Sequence, residues 1–166
     1  MKFYANPYNT SATGFYFESI EELEEKSAAL KDEFGLPVEE FEIEAMDGTR
    51  EEMELFESAE VTPDTMVEFL KFIEDSDEET WPAVYFLLER YSLEGSICLA
   101  NECNVVQSSL LDAASEIFDE CYGYSIPGEL RIYIDYEKYA ADLKYGGDLV
   151  EFEFGGKTYT CTTPDL

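Results

Sequence analysis

Histidine is absent from this 166-residue chain, and lysine and arginine together number only ten. Without an imidazole, no histidine base activates a serine or cysteine nucleophile and no histidine ligates a metal. The four cysteines, Cys98, Cys103, Cys121 and Cys161, form neither a CxxC pair nor a zinc pattern. Apolar runs stay well short of the roughly 18 residues of a membrane span, and an anionic leaflet would repel so acidic a surface. After Met1-Lys2 the chain reads Phe-Tyr-Ala-Asn-Pro, without the apolar core of a signal peptide. The expectation is a cytoplasmic protein whose thiols are reduced and buried. There is no phosphate-binding or dinucleotide glycine fingerprint, no internal repeat and no low-complexity segment. Asp75, Asp77 and Glu79 have the spacing that opens a calcium loop, but Thr80 stands where glycine is needed and Phe86 where the closing glutamate is needed. With 39 carboxylates, nothing singles out a catalytic pair. The chain reads as a non-enzyme with no cofactor and no metal.

What is present is acid. Against ten bases the 39 Asp and Glu leave a net charge of −29. Such chains are often disordered for want of apolar material. Here 45% of residues are hydrophobic, with twelve Phe, twelve Tyr and one Trp, which is enough to build a core. Nor is the acid a tail: residues 1–50 carry −8, 51–100 carry −12 and 101–166 carry −9. It is interleaved with apolar periodicity and therefore decorates folded elements.

The periodicity predicts an α+β protein. Met1–Ala5 and Gly14–Phe17 read as strands. Ser19 with Glu22 makes a capping box that opens a helix, stopped at Gly35-Leu36-Pro37. Glu39–Met46 alternates, with Phe41, Ile43 and Ala45 inward and Glu40, Glu42 and Glu44 in water. Thr49 with Glu52 caps a helix to about Ser58, and Thr62-Pro63 is the start signal of the next. Asp75–Glu79 reads as an exposed connection and Pro82–Tyr91 as a helix buried on a wide face. Ser92–Gln107 resists assignment beyond a short strand at Asn104–Gln107. Ser109 with Asp112 opens a helix to about Tyr122, with Cys121 on its core side. A last helix runs from Asp135 to Tyr145, and a hairpin follows over Asp148–Phe154 and Lys157–Cys161. Sheet with helix, then helices, then helix with hairpin points to three small modules in a row: residues 1–60, 61–103 and 104–166.

Self-repulsion at this level opposes compaction, so the charge is expected to act on something positive. B-DNA carries one negative charge per roughly 1.7 Å of axis, so 29 charges match about 50 Å of duplex. A compact globule of this length has a radius of gyration near 15 Å, by rough scaling, and a string of modules spreads the charge better. The candidate surface comprises Glu21, Glu22 and Glu25 on the first helix, Glu40, Glu42 and Glu44 on the strand, Asp75, Asp77, Glu78 and Glu79 in the connection, and Asp119 and Glu120 on the later helix. Direct nucleic-acid binding is disfavoured, because phosphates would be repelled. The composition also fits an acidic module that neutralises another basic DNA-binding protein or nuclease, or a surface adapted to high salt.

The segment Arg131-Ile-Tyr-Ile-Asp-Tyr-Glu-Lys-Tyr-Ala-Ala-Asp-Leu-Lys-Tyr-Gly-Gly-Asp148 resembles the C-terminal hallmark of the ArdA antirestriction family. The Ser109–Cys121 helix, the Ile126-Pro127-x-x-Leu130 link and the opening Met1–Ala5 strand with Tyr8-Asn9 are similar to the same family. The resemblance implies an elongated, three-module DNA mimic that dimerises and occupies the DNA-binding groove of Type I restriction–modification enzymes. Tyr133, Tyr136 and Tyr139, at i, i+3, i+6 spacing, are the candidate dimer contacts, weighed against a core role.

Overall fold

A computed structural model describes residues 1–162. The order of elements is β1 (Lys2–Pro7), β2 (Phe15–Phe17), α1 (Ile20–Ala29), β3 (Phe41–Asp47), α2 (Arg50–Ser58), α3 (Met66–Asp75), α4 (Trp81–Leu87), α5 (Leu93–Leu99), β4 (Val105–Val106), α6 (Leu110–Tyr122), α7 (Tyr136–Gly146), β5 (Val150–Phe154) and β6 (Lys157–Cys161). Two antiparallel three-stranded sheets, ordered β2-β1-β3 and β4-β6-β5, make this an α+β fold.

Local chemistry sets the boundaries. Ser19 Oγ accepts the Glu22 amide at the start of α1. At α2 the box is reciprocal: Thr49 Oγ1 accepts from Glu52 N, and Glu52 Oε2 accepts from Thr49 N at 2.7 Å. Gly147, at φ 83°, closes α7 in the left-handed conformation that glycine tolerates best. Gly155 and Gly156, both at positive φ, form the two-residue turn of the last hairpin.

The inward residues of the first sheet, Phe3, Ala5, Phe17, Phe41 and Ile43, face α1 and α2 and share one core with α3. Phe3 stacks on Phe17 at 5.3 Å and meets Phe56 at 5.6 Å. Phe56 and Phe69 meet edge to face at 5.5 Å across residue 60, so residues 1–60 and 61–103 share packing. From α4, Tyr85 reaches Phe154 at 4.8 Å and Phe86 reaches Phe152 at 5.2 Å, which docks the second sheet on the same core. A smaller cluster forms where α6 meets α7: Ala114, Ala140 and Leu149, with Leu110, Ile117, Tyr139 and Leu143 around them.

The structure departs from the sequence reading in several places. Thr62-Pro63 does not cap a helix. Thr62–Thr65 fold into a turn in which Thr65 N donates to Thr62 O, and α3 starts only at Met66, the first residue that enters the core. The helix expected over Pro82–Tyr91 ends at Leu87, because the chain turns there to bring buried Leu93 back. The unassigned stretch holds α5, capped by Ser92 Oγ on Gly95 N. Only two cysteines are buried: Cys103 and Cys161 lie with sulfurs 3.6 Å apart, whereas Cys98 and Cys121 are exposed. No helix among the described residues is long and apolar enough to cross a membrane.

Candidate acidic binding surface

On β3, Phe41 and Ile43 are buried while Glu42 and Glu44 point to water, as strand alternation requires. Cross-strand register sets Asn6 opposite Glu42 and Tyr4 opposite Glu44. The Asn6 amide nitrogen donates to Glu42 Oε1 at 3.1 Å and to Glu44 Oε1 at 3.0 Å, holding two like charges side by side. Glu40 is exposed just before the strand, and its carbonyl accepts the Tyr8 amide. These three expected acids therefore share one edge of the first sheet.

The α1 acids are not equivalent. Glu21 and Glu25 are exposed. Backbone amide donation at the helix start, helped by Ser19, holds the Glu21 carboxyl below its ordinary range. Glu22 is ion-paired: the Lys26 ammonium donates to it at 2.8 Å, which is the main reason its carboxyl also titrates low. Its charge is thus balanced locally, unlike that of its neighbours.

Asp75 ends α3, and Asp77 caps the 3-10 turn Glu78–Thr80 by accepting from Glu79 N. All four acids of this run are exposed. Glu78 and Glu79 share an open cleft of about 610 Å³ with Glu51 and Glu52 from the first turn of α2. Sequence reasoning missed those two, because the capping role of Glu52 was enough to account for it. At the end of α6, Glu120 is exposed and Asp119 accepts the Tyr136 hydroxyl at 2.9 Å, which raises the Tyr136 pKa.

The acids in the first turns of α1 and α2 suit helix electrostatics, but those at helix ends run against it. The C-terminal end of a helix favours cations, yet the last turns of α2, α3 and α6 contain no base. Instead Glu74 and Asp75 close α3, and Asp119 and Glu120 lie near the close of α6. Ion pairs between described residues join Lys2 to Glu18, Lys26 to Glu22 and Arg50 to Glu54. Most of the acid is left to face outward unbalanced.

Glu54 plays a structural part instead. It accepts from Gly155 N at 2.7 Å and from Arg50 Nε at 2.7 Å, fastening α2 to the last hairpin. Partial burial pushes its carboxyl up, but these two bonds outweigh that and hold it below the ordinary range. A depressed folded value means that the contribution is fully present above the unfolded carboxylate pKa, about 4.3, and is lost as pH falls through the folded value. Glu54→Gln should therefore melt lower than the parent at neutral pH, with the gap closing on acidification. A gap that stays constant from neutral to acid pH would contradict this.

The tyrosines do not form one helical stripe. Tyr133 ends the 3-10 turn Gly128–Tyr133, before α7 begins, and is exposed. Tyr136 and Tyr139 lie on α7 and pack edge to face on Phe118 at 5.4 and 5.1 Å. The sequence reading did not single out the other exposed apolar residues of this region, Tyr124, Leu130, Ile132 and Tyr145. Residues 122–133 lack any regular period, so no pattern announced their exposure.

The family model described as Antirestriction protein (ArdA) matches residues 8–157. Searches of curated proteins and of solved structures gave no match. With nearly the whole length matched, the chain belongs to the ArdA family of antirestriction proteins, inhibitors directed against restriction–modification enzymes.

Proposed function

We propose that the protein inhibits Type I restriction–modification enzymes inside the cell by occupying their DNA-binding groove in place of duplex. The observation that carries this reading is the unbalanced acid held on rigid elements where helix electrostatics disfavours it. A channel that binds DNA draws much of its affinity from lysine and arginine displacing condensed counterions. Carboxylates fixed in advance supply an analogous driving force without the cost of bending a duplex. Because base readout is bypassed, one inhibitor serves against enzymes with different recognition sequences.

The exposed apolar residues of 122–145 support a second element of the proposal: two copies join through the C-terminal region, lengthening the acidic face. Like-charged partners need a contact poor in acid, and Ile132, Tyr133 and Tyr145 are the exposed apolar side chains this region offers for one. The test is a competition titration of a Type I methyltransferase core with labelled duplex, with light scattering on the same samples across a salt series. Inhibitor and duplex should exclude each other, and the complex with enzyme should weaken as salt rises. The homodimer should tighten under the same change, because salt screens its self-repulsion. A ternary complex with DNA still bound would refute mimicry, and a monomer at every concentration would refute the dimer.

A further inference from the structure

Between α1 and β3 the chain makes a small, heavily tied hairpin turn. Lys31 pairs with Pro37, Val38 N donates to Leu30 O, and Asp32 N donates to Leu36 O at 2.9 Å. Asp32 Oδ1 accepts from both Phe34 N and Leu36 N, at 3.0 and 2.8 Å. Glu33 N donates to Ser11 O, and Gly35 takes the left-handed φ of 79° that closes the turn. Leu30 and Val38 are buried and anchor the base in the main core. The tip stands clear, since a Cβ added at Gly35 would meet no atom within 4 Å.

This rigid tip displays apolar side chains. Phe34 is 76% exposed and Leu36 61%. A single exposed apolar residue is ordinary, but here two large ones sit in the same bonded turn, so little ordering cost is left for binding. Tyr8, also largely exposed, lines a hollow of about 450 Å³ with Pro37, Glu39 and Glu40 at the base of the turn. Exposed Glu33, Glu39 and Glu40 flank the apolar residues along the chain, and Lys31 is the one base in residues 30–40. Charge complementarity thus calls for an apolar recess with a cationic rim.

We propose that the Lys31–Pro37 turn is a docking tip whose Phe34 and Leu36 enter an apolar recess rimmed by lysine and arginine on the inhibited enzyme. This rests on the groove-occupying reading and adds to it an apolar contact that duplex DNA does not make. Burial of the two side chains acts on affinity at every salt concentration, whereas the carboxylates act through the salt dependence.

The experiment compares full-length parent with Phe34→Ser/Leu36→Ser in displacing labelled duplex from a Type I methyltransferase core at several salt concentrations. The double variant should bind roughly tenfold to a hundredfold more weakly, with the same slope of log affinity against log salt and an unchanged melting temperature. Phe34→Trp should bind like the parent, and Asp32→Ala, which frees the turn but keeps its apolar groups, should fall in between. If the parent displaces duplex and the double variant does so equally well, the docking tip is overturned and the mimic stands. If the parent displaces none, the mimic reading itself falls. A double variant with a smaller molar mass by light scattering would assign the tip to a second copy of the chain and also overturn the proposal.

Discussion

Replacing Asp75, Asp77, Glu78 and Glu79 together by their amides is expected to weaken inhibition of a Type I enzyme by on the order of a hundredfold, with each single replacement within about threefold. The run is exposed on the 3-10 turn after α3 and borders a cleft that already holds Glu51 and Glu52. Exposed charges are individually screened, so one amide changes little, while four remove a contiguous part of the field. The slope of log affinity against log salt should flatten together with the loss of affinity. Stability should move the other way. Asp75 sits at the helix end that repels anions, an amide at position 77 keeps a capping oxygen for Glu79 N, and the loss of four charges relieves self-repulsion, so on balance the quadruple variant should melt higher than the parent. Weaker binding in a more stable protein is the signature of charge kept for a partner. A single amide that abolished inhibition without unfolding the chain would replace the distributed surface with a discrete site.

Phe154→Ala is expected to cost about 3–5 kcal/mol of folding stability, lowering the melting temperature by roughly 6–20 °C. Phe154 is buried on β5, 4.8 Å from the ring of Tyr85 on α4 and 6.4 Å from Tyr159 on β6. Its removal leaves a cavity at the joint between the second sheet and the helices, where the rings of Tyr85 and Tyr159 cannot both move in. Thermal unfolding by circular dichroism reads the effect. A shift below about 2 °C would show that the joint repacks around the loss, or that the hairpin contributes little to the shared core.

Most of the elements were legible because local rules and burial agree in them. Glu39–Met46 alternates cleanly, and Phe41 and Ile43 are buried with Glu42 and Glu44 outside. Thr49 and Glu52 announce α2 with the box that the structure contains. The failures lie where a tertiary demand decided the matter. Thr62-Pro63 has the chemistry of a helix start, but the turn to Thr65 delivers Met66 and Phe69 to the core instead. α5 has Gly95 where a capping box would have shown glutamate, so Ser92 gave no warning. The expected acids were readable as exposed residues one by one. Their company was less so: that Asn6 bridges Glu42 and Glu44 depends on cross-strand register and rotamer, whereas the Glu22–Lys26 pair has the i,i+4 spacing of one helix face. Tyr133 was singled out, but Tyr124, Leu130 and Ile132 were not, because exposure of an apolar side chain leaves no mark on periodicity. Phe34 was read with the apolar side of a helix running to Gly35, whereas α1 ends at Ala29 and leaves Phe34 on an exposed turn.

The joint between α2, α4 and the last hairpin has a consequence for synthesis. The Glu54 carboxylate and the Gly155 amide are 101 positions apart, and Tyr85 and Phe86 on α4 wait for Phe152 and Phe154. At a synthesis rate of roughly 5–20 residues per second, about 70 residues take on the order of 3–14 s. Through that interval the aromatic side of α4 has no cover from the second sheet, and the distant pairing makes closure slow even once the chain is finished. Apolar surface exposed at such a stage makes incomplete chains prone to associate. Here residues 1–100 already carry a net charge of −20, from twenty-six acids and six bases, so neighbouring nascent chains repel. The same excess acid keeps the growing protein dispersed until its last strand is in place.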